Sequence, residues 1–344
     1  MRAAVTREPN VMQMAEVPDA PEPGPGEALL RPEAVGLCGS DYHFLTGEIV
    51  TTTVHGPQFP KIQGHEVSAV IERLGPDAPS HLQEGQRVAI WPLRGCGECY
   101  ACSIGRSNVC PNFSLIGIHV HGALAERITL PVEQLFPVGD LEPAVTAFVE
   151  PISIAVHAAN RGRVADGERV VIMGAGPIGQ ALSVVCRERG ASVLLVDLVA
   201  SRLEVGRLTG AEVLDASGVD DVVAEARAWS GGEGPQVVFD AVGLPAVIRD
   251  AVDLVVSAGR VVIVGISHHH VELEVNTFTA KEIDVLGTSV CTADAFAEAA
   301  DIVGRNADVV SKLISRRFPL DRAPEAIAWA MANPEEALKV VVEA

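Results

Sequence analysis

The chain has 344 residues, 48% of them hydrophobic, and a formal net charge of −19. A surface that acidic repels phosphate backbones, which argues against nucleic acid as a partner, and no apolar run is long enough to span a bilayer. The length suggests two domains, and the opening MRAAVTREPNVMQM lacks the apolar core of a signal peptide, so a cytoplasmic protein is expected.

Up to about residue 150, short β-rich runs alternate with Gly and Pro turns: EALLRPEAVG, HEVSAVIERLG, GQRVAIWP and LAERITLP. They predict an irregular, mostly antiparallel β lobe. After Gly167 strands and helices alternate. The apolar runs and Gly stops predict strand Arg169–Met173, helix Pro177–Arg189, strand Val193–Val196, helix Ser201–Thr209, strand Glu212–Leu214 and helix Val219–Ser230. Strand Val237–Asp240, a helix near Ala246–Val256 and strands Val261–Val264 and Ile283–Leu286 follow. That alternation is the pattern of a doubly wound parallel sheet, so the fold class is α/β. From about Thr288 the chain reads as helical.

Cys96, Cys99, Cys102 and Cys110 are spaced C-x2-C-x2-C-x7-C within RGCGECYACSIGRSNVCPN. Four thiolates at that spacing close tetrahedrally on one zinc, leaving no vacancy for a substrate, so this metal is structural. The other cysteines, Cys38, Cys186 and Cys291, are scattered, as in a reducing compartment.

Gly174, Gly176 and Gly179 form G-x-G-x-x-G directly after a predicted strand, with Pro177 and Ile178 opening the helix. The first glycine permits the tight turn, the second lets the backbone approach a pyrophosphate, and the third lets helix and strand pack closely. Asp197 ends the next strand, where its carboxylate accepts from adenosine ribose hydroxyls and repels a 2′-phosphate. NAD is therefore expected rather than NADP. Arg202 is the nearest cation, placed either to hold a phosphate or to pack on the adenosine.

A second set of metal donors is dispersed: Cys38 and His43 in CGSDYH, His65 and Glu66 in GHE, and Glu150 in VEP. Cys38, His65 and one glutamate make three protein ligands and leave a fourth position open, the arrangement of a catalytic zinc. Two zinc ions per subunit follow, and Glu66 and Glu150 both remain candidates for the third ligand.

GHE, CGSDxH, the four-cysteine loop, VEP and GAGPIG occur together in this order, and with them the chain resembles the zinc-dependent medium-chain dehydrogenases along essentially its whole length. The resemblance implies a GroES-like catalytic lobe over 1–152, a Rossmann NAD-binding domain over 153–287, and a segment 288–344 that returns to the first lobe. It favours the polyol branch, that of sorbitol, threonine and butanediol dehydrogenases, in which a glutamate stands where Glu150 stands here. It also implies roles: Ser40 accepts the substrate proton, His43 passes it towards solvent, and Asp41 orients the imidazole of His65. Hydride passes from the carbinol carbon to the nicotinamide.

The substrate is expected to be a neutral polyol or secondary alcohol, giving a ketone. His119 in SLIGIHVHG, Tyr42 and Trp91 are candidate substrate contacts. Sugar-acid 5-dehydrogenases are the alternative. Some of those carry an Arg in the segment matching Gly287–Val290, where this chain has Ser289. A catalytically idle nucleotide-binding protein is a third reading, opposed by the retention of Cys38, Ser40, His43, His65, Glu66 and Glu150. His268, His269 and His270 follow VVIVGIS, and consecutive loop side chains diverge rather than share a metal. A homodimer or homotetramer is expected by resemblance, and VELEVNTF is a run able to pair across an interface.

Overall fold

The computed structural model describes residues 1–48, 58–267 and 269–344. They form two compact units, Met1–Ser153 with Thr292–Ala344, and Ile154–Cys291. The first is built on a seven-stranded sheet ordered Leu135–Pro137, Arg87–Ile90, Glu66–Leu74, Glu27–Gly36, Val340–Glu343 and Arg316–Pro319, with Ile128–Pro131 also paired to Glu27–Gly36. Its pairings are antiparallel except the parallel pair of Arg316–Pro319 with Val340–Glu343. Pro32 interrupts the long strand, and the register shifts between Pro32 and Ala34, the bulge that a residue without an N–H requires. Leu30, Ile71, Ile90 and Leu124 are fully buried at the centre of this unit's core. A three-stranded sheet of Val11–Glu16, Arg2–Glu8 and Lys61–Ile62 packs with it.

The C-terminal stretch departs from the helical expectation. It holds helices Ala293–Arg305, Ala307–Ser311 and Ala323–Ala332, but also strands Arg316–Pro319 and Val340–Glu343. Val340–Glu343 pairs antiparallel with Glu27–Gly36, so both strands join the sheet of the first lobe. A four-residue apolar run cannot be told from a buried helical turn by periodicity, which is why VVVE misleads.

The second unit carries six parallel strands in the order Glu212–Asp215, Ser192–Asp197, Arg169–Met173, Val237–Asp240, Arg260–Ile263 and Asp284–Gly287. That is the doubly wound order, with its switch point beside Arg169–Met173. The central strands are largely apolar and covered, Val237–Asp240 at every position, whereas the edge strands Glu212–Asp215 and Asp284–Gly287 are mostly open. The predicted helix Val219–Ser230 is shorter, Val222–Trp229, because Asp221 caps it by accepting from Ala224 N at 2.9 Å. VELEVNTF forms no strand: Glu274 caps helix Val275–Lys281, accepting from Asn276 N at 3.2 Å. No helix of the described residues is long and apolar enough to cross a membrane.

Candidate active site

Cys38 is the N-cap of the short helix Gly39–Thr46. Its N–H donates to Asp41 Oδ2 at 2.9 Å, a capping box that fixes the turn. Gln63 holds the same aspartate, donating from Nε2 to the Asp41 carbonyl at 2.8 Å, and is itself held by Thr6 Oγ1 at 2.6 Å. Gly64 follows with φ +94°, a conformation that suits glycine, and a Cβ there would meet Val35 Cγ1 at 2.7 Å. His65 and Glu66 are thereby delivered to the start of strand Glu66–Leu74. Glu66 lies opposite Gly36 in the sheet, where a Cβ would fall 2.1 Å from Glu66 Oε2. The glycine is what makes room for the carboxylate.

The outcome is one cluster: the donor atoms of Cys38, His65 and Glu66 all lie within 4.8 Å of one another. Ser40 Oγ stands 3.4 Å from His65 Nε2, and His43 is exposed on the same helix. Asp41 differs from its expected part. Its Oδ1 is 3.9 Å from His65 Nδ1, too far for a hydrogen bond, because its oxygens already accept from Cys38 N, Gln63 Nε2 and Gly64 N. It acts on the imidazole as a neighbouring charge.

Lys339 is the residue that sequence reasoning missed. Its ammonium is buried and donates to Glu66 Oε1 at 2.6 Å, to Oε2 at 2.7 Å and to the Leu37 carbonyl at 3.1 Å. The available signal was one charge inside the apolar run ALKVVVEA. Glu150, in the first turn of helix Val149–Arg161, is buried but outside the 4.8 Å set. Burial pushes its carboxyl up to about 7, with His65 opposing and Glu66 adding to the shift. Burial pulls His65 down, but Asp41, Cys38 and Glu150 more than offset it and hold the imidazole at about 10. A field that retains a proton so firmly on a buried imidazole also favours a divalent cation in its place. The thiol, imidazole and carboxylate donors fit zinc.

The four-cysteine loop is a separate, local site. Cys96, Cys99, Cys102 and Cys110 are all free thiols, with their sulfurs within 4.8 Å of one another. Cys99 caps the helical turn Tyr100–Ser103. Backbone N–H groups point at the sulfurs, Cys96 N to Cys110 Sγ and Asn112 N to Cys110 Sγ, each at 3.3 Å. Backbone N–H donors from Glu98 and Cys99 bring Cys96 down to about 7, whereas burial and the neighbouring sulfurs push Cys102 up to about 11. Four convergent sulfurs with N–H donors behind them fit a closed tetrahedral zinc.

In the second unit Gly174 turns at φ +105°, and a Cβ on Gly179 would lie 1.8 Å from the Gly174 carbonyl oxygen. A Cβ on Gly176 would have no neighbour within 4 Å among the described residues, so the backbone there can be approached, as a pyrophosphate needs. Pro177 and Ile178 begin helix Pro177–Glu188. Asp197 Oδ2 accepts from Ala175 N at 2.6 Å and Oδ1 from Val199 N at 2.8 Å, while Arg202 lies 3.9 Å from the carboxylate. Gln180, also missed, braces the turn by donating to the Ala175 and Arg202 carbonyls at 3.0 and 2.9 Å.

The candidate substrate contacts fare differently. His119 Nδ1 accepts from Leu115 N at 3.1 Å and its ring packs edge-on to Phe113, so it shapes its own turn. Tyr42 packs against the core of the first unit. Trp91 is partly exposed, and its backbone is tied to Gln134. Ser289 is exposed in the second unit. His268 lies outside the described residues, and His269 and His270 are exposed.

Residues 24–140 match the alcohol dehydrogenase GroES-like domain family, and residues 177–305 match the zinc-binding dehydrogenase family. The chain is 32% identical over 325 residues to the L-galactonate-5-dehydrogenase of Escherichia coli, covering 94% of each. The chain belongs to the zinc-dependent medium-chain dehydrogenase family. It is 30% identical over 347 residues to the sorbitol dehydrogenase of Bacillus subtilis, covering 99% of this chain and 97% of that one, which bears out the polyol-branch resemblance. A zinc-binding dehydrogenase of Sinorhizobium meliloti, solved with NADP, superposes with a TM-score of 0.91 at 31% identity, covering 100% and 99%. This dehydrogenase is thus an enzyme, an oxidoreductase that uses zinc and a nicotinamide cofactor.

Proposed function

We propose that this dehydrogenase oxidises a polyol or secondary alcohol to a ketone with NAD. The observation that carries the reading is the convergence of Cys38, His65 and Glu66 beside Ser40 in a GroES-like lobe. When bound, the metal supplies Lewis acidity to the substrate hydroxyl and the nicotinamide accepts hydride. Cys38, His65 and a glutamate would hold the metal. Glu66 has the geometry, and Glu150 stands near enough to change the charge of the set. Ser40 Oγ would accept the proton of the substrate hydroxyl as its own hydroxyl proton passes on, by way of exposed His43, to water. Asp41, tied to the Cys38 backbone, keeps the helix that carries both in place. Asp197, oriented by Ala175 and Val199, receives the ribose hydroxyls and repels a 2′-phosphate, and the nearby Arg202 is engaged with that carboxylate.

A sugar acid is the second reading, favoured by the similarity to the L-galactonate enzyme. One assay separates the two. Reduced nicotinamide formation is followed with neutral polyols, 2,3-butanediol, threonine and aldonates, each with NAD and with NADP. Turnover of polyols or diols with NAD is expected. Aldonate-only turnover would move the substrate class, and faster turnover with NADP would overturn the Asp197 reading. The family resemblance also supports a homodimer or homotetramer in the cytoplasm, which sedimentation of the purified enzyme and cell fractionation would check.

A further inference from the structure

Asp240 ends the strand beside the glycine turn and has no part in the chemistry above. It is fully buried, and its Oδ1 accepts from Val242 N at 3.0 Å and Gly243 N at 2.9 Å. Its own carbonyl accepts from Val264 N and Gly265 N, each at 2.9 Å, which lie after the next strand. One residue therefore pins the loops that leave two adjacent strands, Val237–Asp240 and Arg260–Ile263.

Those loops are packed on each other and on the glycine turn without slack. A Cβ on Gly243 would fall 2.5 Å from the Ile266 carbonyl oxygen, and one on Gly265 would fall 2.2 Å from Gly243 N. A Cβ on Gly174 would meet Val242 Cγ2 at 2.8 Å, so the first loop abuts the first glycine of the phosphate-binding turn. Val242, Leu244 and Ile266 leave apolar surface exposed on these loops. Oδ2 of Asp240 is buried and has no hydrogen-bond partner among the described residues. Burial raises the carboxyl above its ordinary range, against the two N–H donors. Such a group is retained at a cost, and its two loop bonds are what it returns.

We propose that Asp240 is a positioning residue for the nucleotide, its carboxylate and carbonyl holding both loops at the height the glycine turn requires. The inference rests on the nucleotide-binding reading above. NAD binding to the zinc-loaded enzyme, measured by titration calorimetry, tests it. Asp240→Ala is expected to weaken NAD binding about tenfold, the loss of two net hydrogen bonds, with the KM for alcohol at saturating NAD unchanged. Asp240→Asn keeps an acceptor oxygen and is expected to recover most of that loss. Gly243→Ala disturbs the same loop with Asp240 intact, should weaken NAD similarly, and decides the matter if Asp240→Ala does not fold. Unchanged NAD affinity in the variants would overturn the proposal, as would equal weakening by Ala and Asn at position 240. Wild-type enzyme that binds no NAD would instead overturn the nucleotide reading itself.

Discussion

The first unit brings metal-donor atoms together twice, by opposite means. In the cysteine loop all donors come from one stretch, with Cys96 and Cys110 14 positions apart, three of the four partly exposed and every donor a thiol. In the other cluster Cys38 comes from a helix cap, His65 and Glu66 from the start of a strand, and the lysine on Glu66 from 273 residues further along. The local site is closed by its own chain. The dispersed one is held by the whole lobe, buries its His65 and Glu66 donors with Cys38 partly exposed, and carries charges of both signs in contact. A site meant to keep a position open for substrate cannot fill that position with a fourth thiol, so its geometry has to be imposed from outside.

The comparison breaks most visibly at the dispersed cluster. His65→Ala should lower turnover by about three orders of magnitude, the several kcal/mol that a metal contributes, and reduce zinc from two ions per chain to one. Retention of both ions would mean that the cluster is not a metal site. In the zinc-free protein Lys339→Met leaves Glu66 buried without a cation and should cost about 3–5 kcal/mol of stability in denaturant titrations. A cost below about 1 kcal/mol would show that the pair is solvated. Ser40→Ala is expected to lose about 100-fold in kcat with zinc content and NAD affinity intact, and near-normal kcat would remove Ser40 from the proton path. Cys99→Ser is the mirror image: one zinc lost and an earlier thermal transition, while the folded enzyme keeps its kcat. Loss of kcat at low temperature would mean that the two sites are coupled.

The smallest effect concerns pH. Burial, with Lys61 adding to it, depresses both His119 and His121 below the ordinary 6.5. A depressed imidazole contributes fully above 6.5 and loses that contribution as the pH falls through its folded value, because the unfolded chain binds the proton first. Stability should therefore fall as the pH drops below about 6.5. Replacing both histidines by Asn should flatten that part of the slope, and an unaltered slope would assign it to the carboxylates.

What the sequence disclosed followed the same division. The cysteine loop, the glycine turn and the order of the parallel strands were readable because their determinants are local: ligand spacing, turn glycines, and apolar runs bounded by stops. Cys38 and His65 were readable as residue types, yet the choice between Glu66 and Glu150 was not, since it depends on where a strand start and a helix start meet. The partner of Lys339 was hidden for the same reason, though its lone charge in an apolar run was a signal. Nothing near it in sequence shows that the run bearing it lies against Glu27–Gly36. Asp41 was read as a hydrogen-bond partner of the imidazole, but the capping box and Gln63 claim its oxygens, a competition visible only in three dimensions.

The ion pair between Glu66 and Lys339 also imposes an order on biosynthesis. Strand Val340–Glu343 cannot enter the sheet beside Glu27–Gly36 until the ribosome has made all of Ile154–Cys291. For that interval the nascent chain holds Glu66 without its cation, while the cysteine loop, complete by Cys110, is already able to take up its metal. The local site can thus be completed early in translation, whereas the charge balance of the dispersed cluster is completed only when the last residues emerge.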